Sequence, residues 1–174
     1  PVPVANDGSE PYATINDALV VARDDGSVDT VQVMSGVYRN EVRVPGRDIT
    51  ITAPNGATLN GSNSCCDGFD MRGDGKVNIT GFVVQNWNSG IDADGNDDNW
   101  TVTDTEFRNN GRAIEAGQSY GSWSARDNIF RNEDGQNEVR GSGLNADVRG
   151  NYWDQPTGPT DRQCQDADCG YFLS

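Results

Sequence analysis

Two pairs of arginines stand 23 residues apart in the second half of the chain, Arg108 with Arg131 and Arg126 with Arg149. Guanidinium groups at a regular spacing could hold the carboxylates of an acidic glycan through bidentate contacts. Stacked arginines repel one another unless anions lie between them, so nearby carboxylates could instead form cross-strand ion pairs with them. The candidate partners are Glu106, Glu115, Asp127 and Glu138. Two interpretations therefore stay open, a glycan-binding face and a ladder of structural ion pairs.

An acidic run between the two halves of the chain places oxygen-bearing side chains at alternating positions: Asp92, Asp94, Asn96 and Asp98. Such spacing resembles a calcium-binding loop. The pattern is incomplete, because Gly95 comes one place early and no glutamate stands at the twelfth position. The run therefore predicts either a calcium site or a solvated loop, and calcium is the one cofactor that the sequence suggests.

Trp87 falls outside the repeating apolar positions and could either stack on a sugar or cap a loop. Hydrolytic triads are excluded because the chain contains no histidine. Glycine-rich phosphate loops that precede a helix are absent as well. The sequence thus predicts no catalytic residues, and its candidate glycan-binding residues are the four arginines and Trp87.

Four cysteines stand mid-chain and near the C-terminus: Cys65, Cys66, Cys164 and Cys169. Without histidine, and with two of them adjacent, they fit a zinc site poorly and predict disulfides in an oxidising, extracellular setting. A bridge from the tail to the middle would close a loop of about 100 residues, which favours it. Local pairing of Cys164 with Cys169 and of Cys65 with Cys66 is the alternative. Two Asn-x-Thr triplets, at Asn78 and Asn99, predict N-glycosylation of a surface protein.

Composition limits the partners. The net charge is −14, and Lys76 is the only lysine among 13 basic residues. Such a surface repels nucleic acid and anionic lipid. Strong acidity with so little lysine is typical of proteins from salt-loving archaea, in which screening by salt removes most of the repulsion between carboxylates. The alternative is an acidic or calcium-rich protein from an organism that does not live in concentrated salt.

The elements that must position these residues repeat every 23 residues. Apolar side chains recur in four series, which are Ile79-Val102-Ala125-Val148, Val77-Trp100-Trp123-Ala146, Val84-Phe107-Phe130-Trp153 and, with a two-residue displacement at its end, Ile91-Ile114-Val139. Between them run a small or polar series, Gly81-Asp104-Asp127-Gly150, and an asparagine series, Asn86-Asn109-Asn132. Strand periodicity interrupted by a bend at a fixed period predicts stacked coils of about three short strands each. Residues 23 apart should then be neighbours about 4.8 Å apart.

The first half of the chain predicts a cap followed by further coils. Thr14 should cap a helix over residues 15–22, with Asp17 in its first turn. Strands are predicted at 30–34, 41–44 and 48–53. An amphipathic helix at this position would cover the open end of a stack of coils, where core and strand edges are otherwise exposed.

Three segments resemble the pectin-lyase-like β-helix superfamily. They are Tyr12-Ala-Thr-Ile-Asn-Asp-Ala-Leu, Val31-Gln-Val-Met-Ser-Gly-Val-Tyr38 and Gly150-Asn-Tyr-Trp-Asp-Gln-Pro-Thr-Gly-Pro159. The last is similar to the ending of many surface β-helix proteins, including the NosD-like group. The resemblance implies a right-handed parallel β-helix, but it says little about activity, because this fold carries lyases, hydrolases, epimerases, adhesins and scaffolds.

The sequence therefore predicts one all-β domain, a single-stranded right-handed parallel β-helix of about six coils with a short N-terminal capping helix. Residues 1–28 form the cap, 29–155 the coils and 156–174 the tail. We expect a non-catalytic structural or adhesive protein, secreted or at the cell surface of a halophilic archaeon, which self-associates end to end into a filament or binds an acidic glycan. The alternatives are a polysaccharide lyase acting on uronic polymers and a glycan-binding module. We expect neither a nucleic-acid partner nor insertion into a membrane.

Overall fold

The structure is a computed structural model of the whole chain. It describes residues 1–62, 66–93, 99–116, 121–131, 138–141, 145–154 and 159, together with the backbone of strands at 164–165 and 172–173. Within these residues the chain forms one helix, α1 (Ile15–Asp24), and 18 short to medium strands that pair in parallel in two sheets. The fold is a parallel β-solenoid, which confirms the predicted fold class. The direction in which it winds and the number of coils stay predictions.

The first sheet bends along its length, so that the solenoid presents three faces. Its first face consists of β1 (Val2–Val4), β2 (Thr30–Val33), the first halves of β5 (Ile49–Asn60) and β7 (Lys76–Gln85), β9 (Asn99–Thr103), β12 (Ser122–Arg126) and β15 (Asn145–Asp147). Its second face consists of β3 (Val37–Tyr38), the second halves of β5 and β7, β10 (Glu106–Arg108), β13 (Ile129–Arg131), β16 (Asn151–Trp153) and β18 (Phe172–Leu173).

The second sheet is the third face of the solenoid. It stacks β4 (Val42–Pro45), β6 (Phe69–Arg72), β8 (Ser89–Asp92), β11 (Arg112–Ala116), β14 (Val139–Gly141) and β17 (Cys164–Gln165). Ile114 pairs with Ile91 on one side and with Val139 on the other. The predicted displacement of Val139 by two residues is therefore absorbed in the connection, and the strand itself keeps its register.

The apolar series form internal stacks in the register that the 23-residue period predicts. The ring of Phe107 stacks on that of Phe130 at 5.4 Å, and the ring of Phe130 stacks on that of Trp153 at 4.5 Å. Trp100 and Trp123 form a second stack at 4.8 Å. All five side chains are buried, so they belong to the core.

The small or polar series makes the bend between the first and second faces. Gly81, Asp104, Asp127 and Gly150 all have positive φ, between 50° and 86°. Only glycine and, less readily, aspartate and asparagine adopt this left-handed conformation at low cost. The choice of residue types at this period therefore follows from the backbone geometry of the bend.

A ladder of buried polar side chains lies beside this bend, and the sequence patterns did not predict it. Each member bonds a backbone group one turn earlier: Asn128 Oδ1 accepts from the Thr105 amide at 3.1 Å, and Asn151 Oδ1 accepts from the Asn128 amide at 2.9 Å. Asn128 Nδ2 also donates to the Val102 carbonyl at 3.0 Å. The predicted series differs: Asn86 and Asn109 occupy left-handed positions at another bend, and Asn132 lies outside the described residues.

The N-terminal cap forms as predicted. Thr14 has extended backbone angles and accepts the Asp17 amide, which is the bonding pattern of an N-cap residue. Helix α1 buries Ile15, Leu19 and two alanines against the first turns of the solenoid. The predicted cap region also contributes β1 to the first face, and the predicted tail contributes β17 and β18.

Candidate functional site: an arginine pair beside a depression on the first face

Six arginines in the later turns form three clusters, in each of which two guanidinium groups share one carboxylate. Glu106 holds Arg108 and Arg131 on the second face, Glu115 holds Arg112 and Arg140 on the third, and Asp147 holds Arg126 and Arg149 on the first. Ion pairing through Glu106 and Glu115 was predicted. Asp127 was the wrong partner, because its backbone makes the bend and Asp147 takes the role instead. Glu138 is buried and lies on the third face.

The cluster on the first face is the best placed for binding. Arg126 and Arg149 come from neighbouring turns, and their side chains are 49 % and 39 % exposed. Arg149 Nη2 lies 2.7 Å from Asp147 Oδ2, and Arg126 bonds the same oxygen. Because two guanidinium groups share one carboxylate, the cluster keeps a net charge of +1 and outward-facing donor atoms.

The Asp147 carboxyl titrates abnormally. The guanidinium of Arg149, with a smaller contribution from Arg126, holds the pKa of that carboxyl well below its usual value. A carboxyl whose pKa is lower in the folded state than in the unfolded chain stabilises the fold above the unfolded pKa of about 3.9, and this contribution is lost as the pH falls.

We therefore expect Asp147→Asn to destabilise the protein at pH 7 and to have a progressively smaller effect as the pH falls below about 4. Urea unfolding of both proteins between pH 7 and pH 2 measures this directly. Asp154→Asn, an exposed substitution at the end of β16, is the control. An Asp147→Asn penalty that stays constant across this range would contradict the ion-pair assignment.

A shallow depression of about 380 Å³ lies next to this cluster on the outside of the first face. It is lined by Trp100 and Trp123 and by polar residues, which are Lys76, Asn78, Asn99, Thr101, Ser122, Ser124 and Asp147. Side chains in its floor are already bonded across the turns: the Thr101 hydroxyl donates to Asn78 Oδ1 at 2.6 Å, and Asn78 Nδ2 lies 3.4 Å from the Thr50 hydroxyl. Bonds between neighbouring turns hold these amides and hydroxyls in place, so little side-chain entropy is lost when they bind.

The first face also differs in charge from the molecule as a whole. The outward positions of its strands carry Lys76, Arg126 and Asp147, and Arg149 follows β15. Within the strands, two cations and one carboxylate give a net charge of +1, whereas the chain carries −14, and the residues bordering the strands add Arg149 together with Asp48, Asp104 and Asp127. Its other outward residues are mainly threonine, serine, asparagine and glutamine. An anion can therefore approach this face with less repulsion than the total charge implies.

Trp87 is not part of a binding surface. Its side chain is 4 % exposed, and its Nε1 donates to the Leu59 carbonyl at 3.1 Å. A Cβ added at Gly61 would lie 2.6 Å from the indole ring, so the adjacent turn has glycine where the ring packs. The sugar-stacking hypothesis was wrong for this residue, and its interpretation as a loop cap fits the structure. Among the described residues, an aromatic side chain on the surface is that of Tyr152, which is 36 % exposed and lies 5.8 Å beneath the Arg131 guanidinium.

The predicted calcium ligands are only partly described. Asp92 ends β8 on the third face, between Asp70 and Glu115 in register, whereas Asp94, Asn96 and Asp98 lie outside the described residues. Among the residues that the structure describes, no group of three or more potential ligands is placed to hold a metal. Calcium binding stays a prediction.

Most of the predicted disulfide cysteines cannot be placed, because the side chains of Cys65, Cys164 and Cys169 lie outside the described part of the structure. The backbone nevertheless limits the pairing. Cys66 precedes β6, and Cys164 begins β17, which lies four strands further along the third face. At about 4.8 Å per strand, their Cα atoms are separated by roughly 19 Å, far beyond the 7 Å limit for a disulfide. This distance rules out a direct bond between Cys66 and Cys164, and the other pairings stay predictions.

Both predicted glycosylation sites lie on the first face. Asn78 and Asn99 are exposed, and both line the depression. A third triplet, Asn60-Gly61-Ser62, was missed, although the same motif search would have found it. Asn60 ends β5 on the second face, where its Oδ1 accepts from the Ser62 amide and from Asn86 Nδ2, each at 3.0 Å.

Comparisons with known proteins add no relative. Neither a protein-family model nor a curated protein nor a solved structure matches the chain. In the part of the chain that the structure describes, no helix has the length and apolar character needed to cross a membrane.

Proposed function

We propose that this chain is a non-catalytic adhesive module, secreted or at the surface of a halophilic microbe, that binds an acidic glycan through its first face. We place it with the pectin-lyase-like β-helix proteins, and we infer a right-handed winding, because parallel strand crossovers are almost always right-handed. The observation that carries the proposal is the Arg126–Asp147–Arg149 cluster at the edge of the depression on this face.

The chemistry of this face suits a uronic polymer. The arginines offer paired donors to a carboxylate, while the amides and hydroxyls of the depression can bond sugar hydroxyls. A stack of turns about 4.8 Å apart presents these groups repeatedly along one direction, so an extended polymer can contact several turns. A stiff scaffold with a repeating surface is well suited to adhesion.

The acidic surface is compatible with this function in concentrated salt. At 1 M salt the Debye length is about 3 Å, so the remaining charges of the chain do not repel a polyanion over a distance. Direct bonds between guanidinium and carboxylate groups act within that length. At low salt the other carboxylates of the chain are less screened and repel the polyanion. The affinity for the glycan should then be lower than the contacts of the arginine cluster alone would give.

Filament formation by end-to-end stacking is the alternative structural role. Helix α1 covers the core at the N-terminal end of the solenoid. A second copy docking there would meet the exposed surface of the helix, which includes Val20, rather than open strand edges. This arrangement supports adhesion along the side of the solenoid more than stacking through that end.

The test is the binding of polygalacturonate to the purified protein in 1 M salt. We expect the Arg126→Ser/Arg149→Ser variant to bind at least about tenfold more weakly, a loss of about 1.4 kcal/mol, because each lost bidentate contact removes a charge-assisted hydrogen bond. Circular dichroism should show the same secondary structure in both proteins. Absorbance from unsaturated uronates, followed in the same samples, would reveal a lyase instead.

Arg43→Ser/Arg72→Ser is the matched control, because these two arginines pair with carboxylates near the third face and leave the first face unchanged. It should bind as the wild type does. Equal binding by the Arg126→Ser/Arg149→Ser variant would refute the proposed site.

A further inference from the structure

We propose that N-linked glycosylation of Asn78 and Asn99 closes the first face to its acidic ligand, an inference that rests on the proposed function. The two asparagines belong to separate Asn-x-Thr triplets, yet the fold brings both into the same depression. Lys76 pairs with Asn99, and Asn78 pairs with Thr101. Asn78 and Asn99 therefore lie on neighbouring turns, offset by two residues along the strand direction. With strand spacings of about 4.8 Å across and 6.6 Å along the strand, their Cα atoms are roughly 8 Å apart.

Glycans at these positions would cover the depression. A pyranose ring is about as wide as the spacing between turns, so a sugar on either asparagine extends over the neighbouring turn. Ser122 and Ser124 lie on the next turn and line the same depression. A glycan attached at Asn99 therefore covers the surface between Lys76 and Asp147. A glycan attached at Asn78 covers the turns that precede Asn78.

The modification is chemically compatible with the bonds already present. In the transfer, Asn78 Nδ2 forms a bond to the anomeric carbon of an oligosaccharide carried on a lipid pyrophosphate. The bond from that carbon to the pyrophosphate oxygen breaks, the lipid pyrophosphate leaves, and one amide proton is released. The product keeps one N–H and the carbonyl oxygen, so Asn78 Oδ1 can still accept from the Thr101 hydroxyl.

The fold also sets when the transfer must occur. Asn78 lies in β7, which is paired with β5 on one side and β9 on the other, and Asn99 lies in β9, which is paired with β7 and β12. Both triplets are held extended between two neighbouring strands, so a transferase cannot bend them into its site once these turns have formed. Glycosylation must therefore precede the folding of this region. Whether the first face is open or covered by glycans is then determined while the protein is being made.

The third triplet provides an internal control. Asn60 lies at the end of β5 on the second face and does not line the depression. A glycan there leaves the first face open, so it should have no effect on binding.

The experiment compares the same chain secreted from an N-glycosylating host and produced in a non-glycosylating bacterium. Mass spectrometry reports the sugar at each asparagine, and polygalacturonate binding in 1 M salt reports the state of the face. We expect sugar at Asn78 or Asn99 and at least tenfold weaker binding by the glycosylated protein. The Asn78→Gln/Asn99→Gln variant should bind equally from both hosts, and its bacterial form corrects for any direct effect of the substitutions. Asn60→Gln should behave as the wild type in both.

Unmodified asparagines at both positions in the glycosylating host would overturn the inference, as would equal binding by the glycosylated and bacterial wild-type proteins. Failure of the bacterial wild-type protein to bind at all would instead refute the proposed function, and the inference with it. The two failures are therefore distinguishable in one set of measurements.

Discussion

Replacing Phe130 with alanine is expected to lower the free energy of unfolding by about 3–5 kcal/mol. The Phe130 side chain is 1 % exposed and stacks between Phe107 and Trp153. Its removal leaves a cavity between neighbouring turns, and the turns on either side are held at a fixed spacing by backbone hydrogen bonds, so the cavity cannot close. Urea unfolding followed by circular dichroism measures the loss.

Tyr152→Ala is the matched control for this prediction. Tyr152 lies on the next turn but points outward and is 36 % exposed. Its replacement should change the free energy of unfolding by less than about 1 kcal/mol. Equal penalties for the two substitutions would mean that the aromatic stack is not the core of this region.

Replacing Asn128 with alanine should cost about 2–4 kcal/mol, because it leaves two buried backbone groups without a partner. These groups are the Thr105 amide, which donates to Asn128 Oδ1, and the Val102 carbonyl, which accepts from Asn128 Nδ2. Water cannot reach them, since Asn128 is 1 % exposed. Denaturant unfolding at pH 7 provides the measurement.

Two further variants identify the cause of that loss. Asn88→Ala removes an exposed amide whose nearest partners lie at 3.4 and 3.5 Å, and it should cost less than about 0.5 kcal/mol. Asn128→Asp keeps the acceptor oxygen but loses the donor and buries a carboxylate. Its penalty should therefore be larger at neutral pH than under acidic conditions, where the protonated carboxyl can donate. A pH-independent penalty would argue against the ladder as its origin.

The structure supports the ion-pair interpretation of the arginine pairs, and the glycan-binding interpretation stays a proposal. Carboxylates do lie between the stacked arginines, as the ion-pair interpretation requires. One carboxylate serves two guanidinium groups, however, so each cluster keeps one positive charge. Structural pairing and anion binding are thus compatible at Asp147, where a neighbouring depression offers room for a ligand.

The repeat in the sequence was sufficient to predict the solenoid and much of its core. A 23-residue period in apolar type places residues such as Phe107 and Phe130 in register, because a stack of turns is the arrangement that brings equivalent positions together at every repeat. The same period identified the bend residues Asp104 and Asp127, since their left-handed backbone tolerates few residue types. These features depend on local backbone geometry repeated along the chain.

The tertiary structure alone decided which polar side chains meet. The period places Asp127 at the bend, but nothing in it indicates that Asp147 holds two arginines, because this contact depends on side-chain reach across turns. Trp87 is buried for a similar reason, since glycine at position 61 in the adjacent turn leaves room for its ring. The grouping of Asn78, Asn99 and the arginine pair on one face likewise follows from the path of the coil, which brings residues distant in sequence into one surface.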